Sequence, residues 1–275
     1  MKMEDTKAVC WNITNVCNAN CHFCHRMMDV NELTVKENLI VLEKLIQGGI
    51  DEITWSGGEC LMYNGIEHLI KHAFESGIKN KMITNGKALT VDRIKCIVPF
   101  LKSITFSLDS ADDNVNATLG RGRTQYGVVY RAIVYIKENY PGVEVKVNTV
   151  VNAVNEEEVQ FLPGILAALE IDRWKVFKFM DVRGSAKENR NIYSITDEEF
   201  DAICCSLRNI AGNERNYKIQ FVDASTYEDD YIMVDSSGRM YITNKGTDHF
   251  VGSLLYNNTS VLFSKISVIR GLYCA

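Results

Sequence analysis

The chain has no uninterrupted apolar run approaching the roughly 18 residues of a membrane span. The segment Met1 to Val9 (MKMEDTKAV) is too polar and too short for a secretion signal. Basic residues are not in excess, since 30 Lys and Arg stand against 35 Asp and Glu, a net charge of −5. A role in coating nucleic acid is therefore disfavoured, and any grip on an anionic ligand must come from cations gathered locally. There are three prolines, and no Pro/Gly-rich linker, low-complexity run or repeat beyond the βα unit marks a second domain. Without a secretion signal, nine cysteines point to a reducing compartment where thiols stay free or bind metal. The expected setting is cytoplasmic, with no membrane and no nucleic-acid partner.

What is present is ample material for a core: 46% of 275 residues are apolar, enough for one large α/β domain or two small ones. Strand-like and helix-like segments alternate, which favours a mainly parallel sheet covered by helices. Val9 to Thr14, Glu52 to Trp55, Lys81 to Thr84, Ser103 to Leu108, Val143 to Val151 and Trp174 to Met180 read as strands. Helices are expected from Thr34, which opens a capping-box signature with Glu37, to Gly48-Gly49, and over 65–76, 90–100, 125–140 and 156–169. Six such repeats fit a doubly wound sheet or an incomplete barrel, and in either case ligands gather at the carboxyl ends of the strands. Cys17, Gly57-Gly58-Glu59, Asn85, Ser107 and Asn148 all fall at or near those ends. After Met180 the pattern changes to a capped helix at Thr196, a strand at Tyr217 to Val222, and a hairpin through Ser236-Ser-Gly. The reading is a core over 1–182 and, within the same structural unit, a C-terminal extension over 183–275 that closes the barrel mouth.

Chemistry concentrates after the first strand, in Cys17-Asn-Ala-Asn-Cys21-His-Phe-Cys24. Three thiolates spaced C-x3-C-x2-C in one short loop can hold three irons of a four-iron cluster and leave the fourth open. The same residues contain C-x-x-C-H, a haem-attachment pattern that would require export. A structural zinc site is the other alternative, but no second C-x2-C pair supplies its remaining ligands. The other cysteines, including Cys204 and Cys274, are scattered and read as packing, with Cys60 the one that could approach the loop. Gly57 and Gly58 permit close backbone approach, and Glu59 can accept charge-assisted hydrogen bonds from an ammonium group.

The cysteine loop followed by Gly57-Gly58-Glu59 resembles the radical S-adenosylmethionine (SAM) superfamily. The resemblance implies a partial (β/α)6 TIM barrel, a 4Fe–4S cluster held by Cys17, Cys21 and Cys24, and SAM as cofactor. It further implies SAM contacts from Gly57, Gly58, Glu59, Asn85 and Ser107, and an external flavodoxin- or ferredoxin-like electron donor. Cys60 stands where the superfamily usually has proline.

Three segments, Leu108 to Gly122, Val145 to Asn152 and Asp172 to Phe177, are similar to the viperin-like nucleotide dehydratases. That similarity implies a nucleoside triphosphate, CTP first, turned into its 3′-deoxy-3′,4′-didehydro analogue, an antiviral chain terminator. Arg121, Lys146, Arg173, Lys175 and Lys245 would hold phosphates, Asn148 the nucleotide or SAM, and Tyr231 would relay a hydrogen atom. The family's first strand tends to read Asn-x-His, whereas Cys10 and Asn12 stand here, so Asn12 and its neighbours should shape the substrate pocket differently. Two alternatives remain open: a radical SAM enzyme acting on UTP, GTP or another phosphate-bearing molecule, and a non-catalytic iron–sulfur redox sensor.

Overall fold

The computed structural model describes residues 8–27, 31–212, 216–224, 232–244 and 247–273; Tyr231, Lys245 and Cys274 lie outside them. In chain order the elements begin with β1 (Ala8–Asn12), α1 (Val35–Gln47), β2 (Glu52–Ser56), α2 (Ile66–Glu75), β3 (Lys79–Thr84), α3 (Val91–Ile97) and β4 (Leu101–Ser107). There follow α4 (Asp113–Thr118), α5 (Gln125–Asn139), β5 (Glu144–Val151), α6 (Leu162–Ala168), β6 (Arg173–Lys178), α7 (Gly184–Glu188) and α8 (Arg190–Tyr193). The last are α9 (Asp197–Ala211), β7 (Lys218–Val222), β8 (Ile232–Val234), β9 (Arg239–Asn244), β10 (Thr247–Ser253) and α10 (Thr259–Tyr273). The chain divides into two compact units, one of residues 1–17, 28–82 and 228–275 and the other of 18–27 and 83–227.

In the first unit β1 is central, parallel to both β2 and β8, and β8–β9–β10 continue as an antiparallel meander. Alternation along β1 buries Val9 and Trp11 on one face and leaves Cys10 and Asn12 half-buried on the other. Trp11 stacks on Trp55 with ring centroids 5.3 Å apart, and the Trp55 indole donates to Asn80 Oδ1 at 2.9 Å. The α1 capping box forms as the spacing predicts: Thr34 Oγ1 accepts from the Glu37 amide while Glu37 accepts from the Thr34 amide at 2.8 Å. Val41, Leu42 and Leu45 then bury one side of the helix.

In the second unit β4, β5, β6 and β7 run parallel in sequence order. One face carries Val145, Val147, Trp174 and Val176 into the core, where the Trp174 indole donates to Thr149 Oγ1 at 2.9 Å. Helices cover this side: Tyr217 donates to the Pro163 carbonyl of α6, and Arg208 of α9 lies 4.6 Å from the Phe221 ring centre. Thr196 caps α9 with a second capping box.

The helix expected over 156–169 is instead a single 3-10 turn, Val159–Phe161, followed by α6. Pro163 has no amide hydrogen and fits only the first turn, so it sets where α6 can start. Asn148 stands mid-strand in β5 rather than at its end. No helix among the described residues is long and apolar enough to cross a membrane.

Candidate functional site

In the first unit, the loop leaving β1 and the loop leaving β2 are laced together. The Ser56 carbonyl accepts from Ile13, Gly58 N–H donates to Thr14 O at 2.7 Å, and Glu59 N–H donates to Val16 O at 2.9 Å. The two glycines are required by this contact: Gly57 sits at φ +143°, and a Cβ there would lie 2.4 Å from Thr14 O. A Cβ on Gly58 would lie 2.5 Å from Val16 O. Their close approach is thus to the backbone that leads into Cys17. The Glu32 carboxylate fixes the same stretch from its other side, accepting from Thr14 Oγ1 at 2.6 Å and the Asn15 amide at 2.7 Å.

Glu59 is buried, with Oε1 3.3 Å from the Leu61 amide, capping a short 3-10 turn over Cys60–Met62. The Cys60 thiol is fully buried and directed at Glu59 Oε1, which accounts for it as a packed group. Asn12 ends β1 beside Ser56, its Nδ2 3.4 Å from the Tyr241 hydroxyl of β9. Burial pushes the neighbouring Cys10 thiol up to about 12, so it stays protonated.

In the second unit, residues 18–27 of the cysteine loop are held by the end of α4 and by the segment after β6. Asn20 and His22 amides donate to the Gly120 and Leu119 carbonyls, and Gly120 sits at φ +77° because a Cβ would meet Asn20 O at 2.0 Å. From the other side Ala186 N–H donates to Cys24 O, Asn189 Nδ2 donates to His22 O at 2.9 Å, and His22 Nδ1 shares a 3.0 Å hydrogen bond with the Tyr193 hydroxyl. Phe23, Phe179 and Tyr193 pack with Cys21 in one apolar cluster. The Arg26 amide lies 3.4 Å from Cys24 Sγ, a hydrogen bond of the kind that tunes a metal-bound sulfur.

Arg121 stands beside this loop: its guanidinium lies 5.2 Å from the Phe23 ring centre and donates to the buried Asp109 carboxylate at 2.6 Å. Burial works against its charge, but Asp109, with Cys21 and Cys24 as thiolates, outweighs burial and holds its pKa above the ordinary arginine value. Asp109 also accepts from the Val150 amide, tying the loop after β4 to β5.

Asn85 and Ser107 are brought together by a residue the sequence did not single out. Gln125 donates from Nε2 to the Asn85 carbonyl at 2.7 Å and to the Ser107 carbonyl at 3.0 Å, while its buried Oε1 meets no partner among the described residues. The Asn85 side chain closes a turn on the Lys87 amide and donates to Asn18 Oδ1. Gln125 stands at the first position of α5, where sequence offers little to distinguish it from a surface residue. Asn189 and Tyr193, in the less patterned stretch after Met180, gave no signal either.

The remaining cations share one face of the strands of the second unit, opposite α6 and α9. Lys146 pairs in register with Arg173, and Asn148 pairs with Lys175 and with Ser107. Lys146 Nζ is 3.1 Å from Ser103 Oγ and 2.8 Å from Glu144, whose carboxyl this hydrogen bond holds below the usual range. The structure therefore groups Lys146, Asn148, Arg173 and Lys175, and places Arg121 with the cysteine loop.

No disulfide joins the described cysteines, and no three His, Cys, Asp or Glu side chains among the described residues are close enough to hold a metal ion. The fit to a cluster rests on donor chemistry: three soft thiols within eight residues of one short loop. The orphaned Gln125 Oε1, on the residue that links Asn85 to Ser107, likewise fits a ligand that brings a hydrogen-bond donor.

The sequence model of the Radical SAM superfamily matches residues 11–162, more than half of the chain. Several relatives carry the name S-adenosylmethionine-dependent nucleotide dehydratase. One from Lacinutrix mariniflava is 30% identical over 90% of this chain and 53% of its own length, so the chain spans about half of that protein. One from Flammeovirga pacifica is 28% identical over 89% of this chain and 86% of its own. Among solved structures, Streptococcus suis SuiB bound to S-adenosylmethionine is similar with a TM-score of 0.71 at 19% identity, covering 86% of this chain and 59% of SuiB. Native anSMEcpe with bound AdoMet is similar with a TM-score of 0.73 at 13% identity, covering 93% of this chain and 80% of that one. These structural likenesses show the fold alone, a partial TIM barrel.

Proposed function

The chain belongs to the radical SAM superfamily, whose members use a 4Fe–4S cluster and SAM, and from that premise we propose a cytoplasmic nucleotide dehydratase. Its substrate is a ribonucleoside triphosphate, CTP first, which gives up its 4′ hydrogen atom and then loses its 3′ hydroxyl as water, with one electron from the external donor and one proton, to give the 3′-deoxy-3′,4′-didehydro nucleotide, an antiviral chain terminator. The observation that carries the reading is the grouping of Lys146, Asn148, Arg173 and Lys175 on one sheet face, supported by relatives named for nucleotide dehydration. A face with that much positive charge in a chain of net charge −5 calls for an anionic ligand.

Cys17, Cys21 and Cys24 hold the cluster, and Gly57 to Glu59, Asn85 and Ser107 bind SAM. When bound, these groups and an external flavodoxin- or ferredoxin-like donor supply one-electron chemistry that removes a hydrogen atom from the substrate. The chain's own contribution is positional. Glu59 presents a buried carboxylate that can take an ammonium group, Lys146, Arg173 and Lys175 fix the phosphates, and Asn148 orients the sugar between them. Tyr231 relays a hydrogen atom, and Lys245 adds a cation to the phosphates.

Anoxic, reduced protein should cleave SAM faster when CTP is added, with 5′-deoxyadenosine and a nucleotide product lighter by one water as the readouts. If none of CTP, UTP, GTP and ATP raises cleavage above the level with reductant alone, the nucleotide reading is wrong.

Base choice is governed in part by the half-buried face of β1. Cys10→Asn with Asn12→His should change the ratio of CTP to UTP or GTP turnover by about tenfold, because buried polar groups left unpaired reject the wrong base. SAM cleavage by reductant alone should change little. An unchanged ranking of the four triphosphates in the double variant places base choice elsewhere.

A further inference from the structure

Lys218 opens β7 and is the register partner of Arg173, as Arg173 is of Lys146. In a parallel sheet such partners lie side by side, about 4.8 Å apart, and point the same way. Ile219 and Phe221 take the face covered by α9, so Lys218 and Gln220 belong to the opposite face, with Lys146, Asn148, Arg173 and Lys175. That face is graded in three rows. Val150, Phe177 and Val222 lie nearest the carboxyl ends, then Asn148, Lys175 and Gln220, then Lys146, Arg173 and Lys218.

The last row is all cationic and borders a cavity of about 460 Å³ at the amino ends of the strands. Like charges at neighbouring register positions repel, and Glu144, which pairs with Lys146 and also interacts with Arg173, offsets part of that repulsion on the Lys146 side of the row. Of the two carboxylates on the same cavity, Glu144 pairs with Lys146, while Asp172 accepts from the Val145 amide at 2.8 Å and lies 3.5 Å from Lys137. Among the residues bordering the cavity, positive charge is in excess.

A nucleoside triphosphate has a matching gradient, from a flat base through a polar sugar to a terminal phosphate that carries the most charge. We propose that Lys218 recognises the terminal phosphate and makes the site prefer triphosphates to diphosphates. The proposal rests on the nucleotide reading above. It adds a residue and a selectivity to it: Lys146, Arg173 and Lys175 serve the phosphates common to both ligands, and Lys218 serves the one that only a triphosphate has.

The test is anoxic equilibrium dialysis of CTP, UTP, GTP and ATP and the corresponding diphosphates against wild type, Lys218→Met and Lys218→Arg. Lys218 is exposed, so its contact is partly screened and the expected loss is about 3- to 10-fold for the preferred triphosphate. Diphosphate affinity should change by less than about twofold, and Lys218→Arg should restore the wild-type preference, because a guanidinium also holds phosphate. If wild type binds triphosphates but Lys218→Met keeps the wild-type ratio of triphosphate to diphosphate affinity, the role of Lys218 is refuted and the nucleotide reading stands. If wild type binds none of the nucleotides, the nucleotide reading itself fails and the role of Lys218 falls with it.

Discussion

Replacing Cys17, Cys21 or Cys24 by alanine is expected to remove the cluster entirely, taking iron from about four per chain to near zero in anoxically reconstituted protein. Three ligands are the minimum that leaves one iron open, so no single thiolate is dispensable. Cys96→Ala and Cys204→Ala serve as controls. Cys96 is exposed, and burial pushes the Cys204 thiol up to about 12, so it stays protonated and is a poor metal ligand. Both should keep wild-type iron content and the visible absorption of the cluster. Stoichiometric zinc without iron in protein isolated without oxygen would overturn the assignment, and retention of a full cluster by any of the three loop variants would remove that cysteine from the ligand set.

The second large effect is expected at Lys146 and Lys175. Each charge-assisted contact to a phosphate is worth roughly 1.5–3 kcal/mol when little solvent screens it, or about 10- to 150-fold in affinity. Lys146→Ala and Lys175→Ala should each raise the nucleotide concentration that half-maximally stimulates SAM cleavage by that factor, with SAM affinity almost unchanged. Lys146 also has contacts of its own in the fold, since its Nζ reaches Ser103 Oγ and Glu144. Its removal leaves the buried Ser103 hydroxyl short of a partner, so Lys146→Ala should also lower stability by about 1 kcal/mol. Melting curves recorded alongside the kinetics separate the two losses. Equal half-maximal concentrations in wild type and both variants would mean that the phosphates are held elsewhere.

Much of this architecture was legible because short-range signals agreed with the long-range fold. Thr34 with Glu37 and Thr196 with Glu199 announce helix starts that their side chains do make, and Ile232-Met-Val, the Ser236 turn and Met240 do form paired strands. What escaped notice did so for physical reasons. Strand β10 alternates poorly, with only Val251 fully buried, so period-two patterning is faint. Helix α10 is rich in serine and β-branched residues, which have weak helix propensity, and its existence depends on packing against its neighbours. The cysteine spacing declared the chemistry, yet the groups that steady the loop, Asn189, Tyr193 and Gly120, are distant in sequence and ordinary in type. Arg121 stood out in the sequence as a candidate phosphate cation, but its pairing with Asp109 did not, because the two are twelve positions apart across turn and helix.

The lacing of Gly58 and Glu59 onto Thr14 and Val16 bears on the order of events when the protein matures. Fixing one residue's backbone costs about 1–2 kcal/mol, and over the approach to Cys17 that cost is met by strand and loop hydrogen bonds as the chain folds. Iron and sulfide delivered afterwards meet a backbone already held on the approach to Cys17. The β1 and β2 loops should therefore stay joined when iron is withheld, so that the amides of Gly58 and Glu59 exchange slowly in metal-free protein.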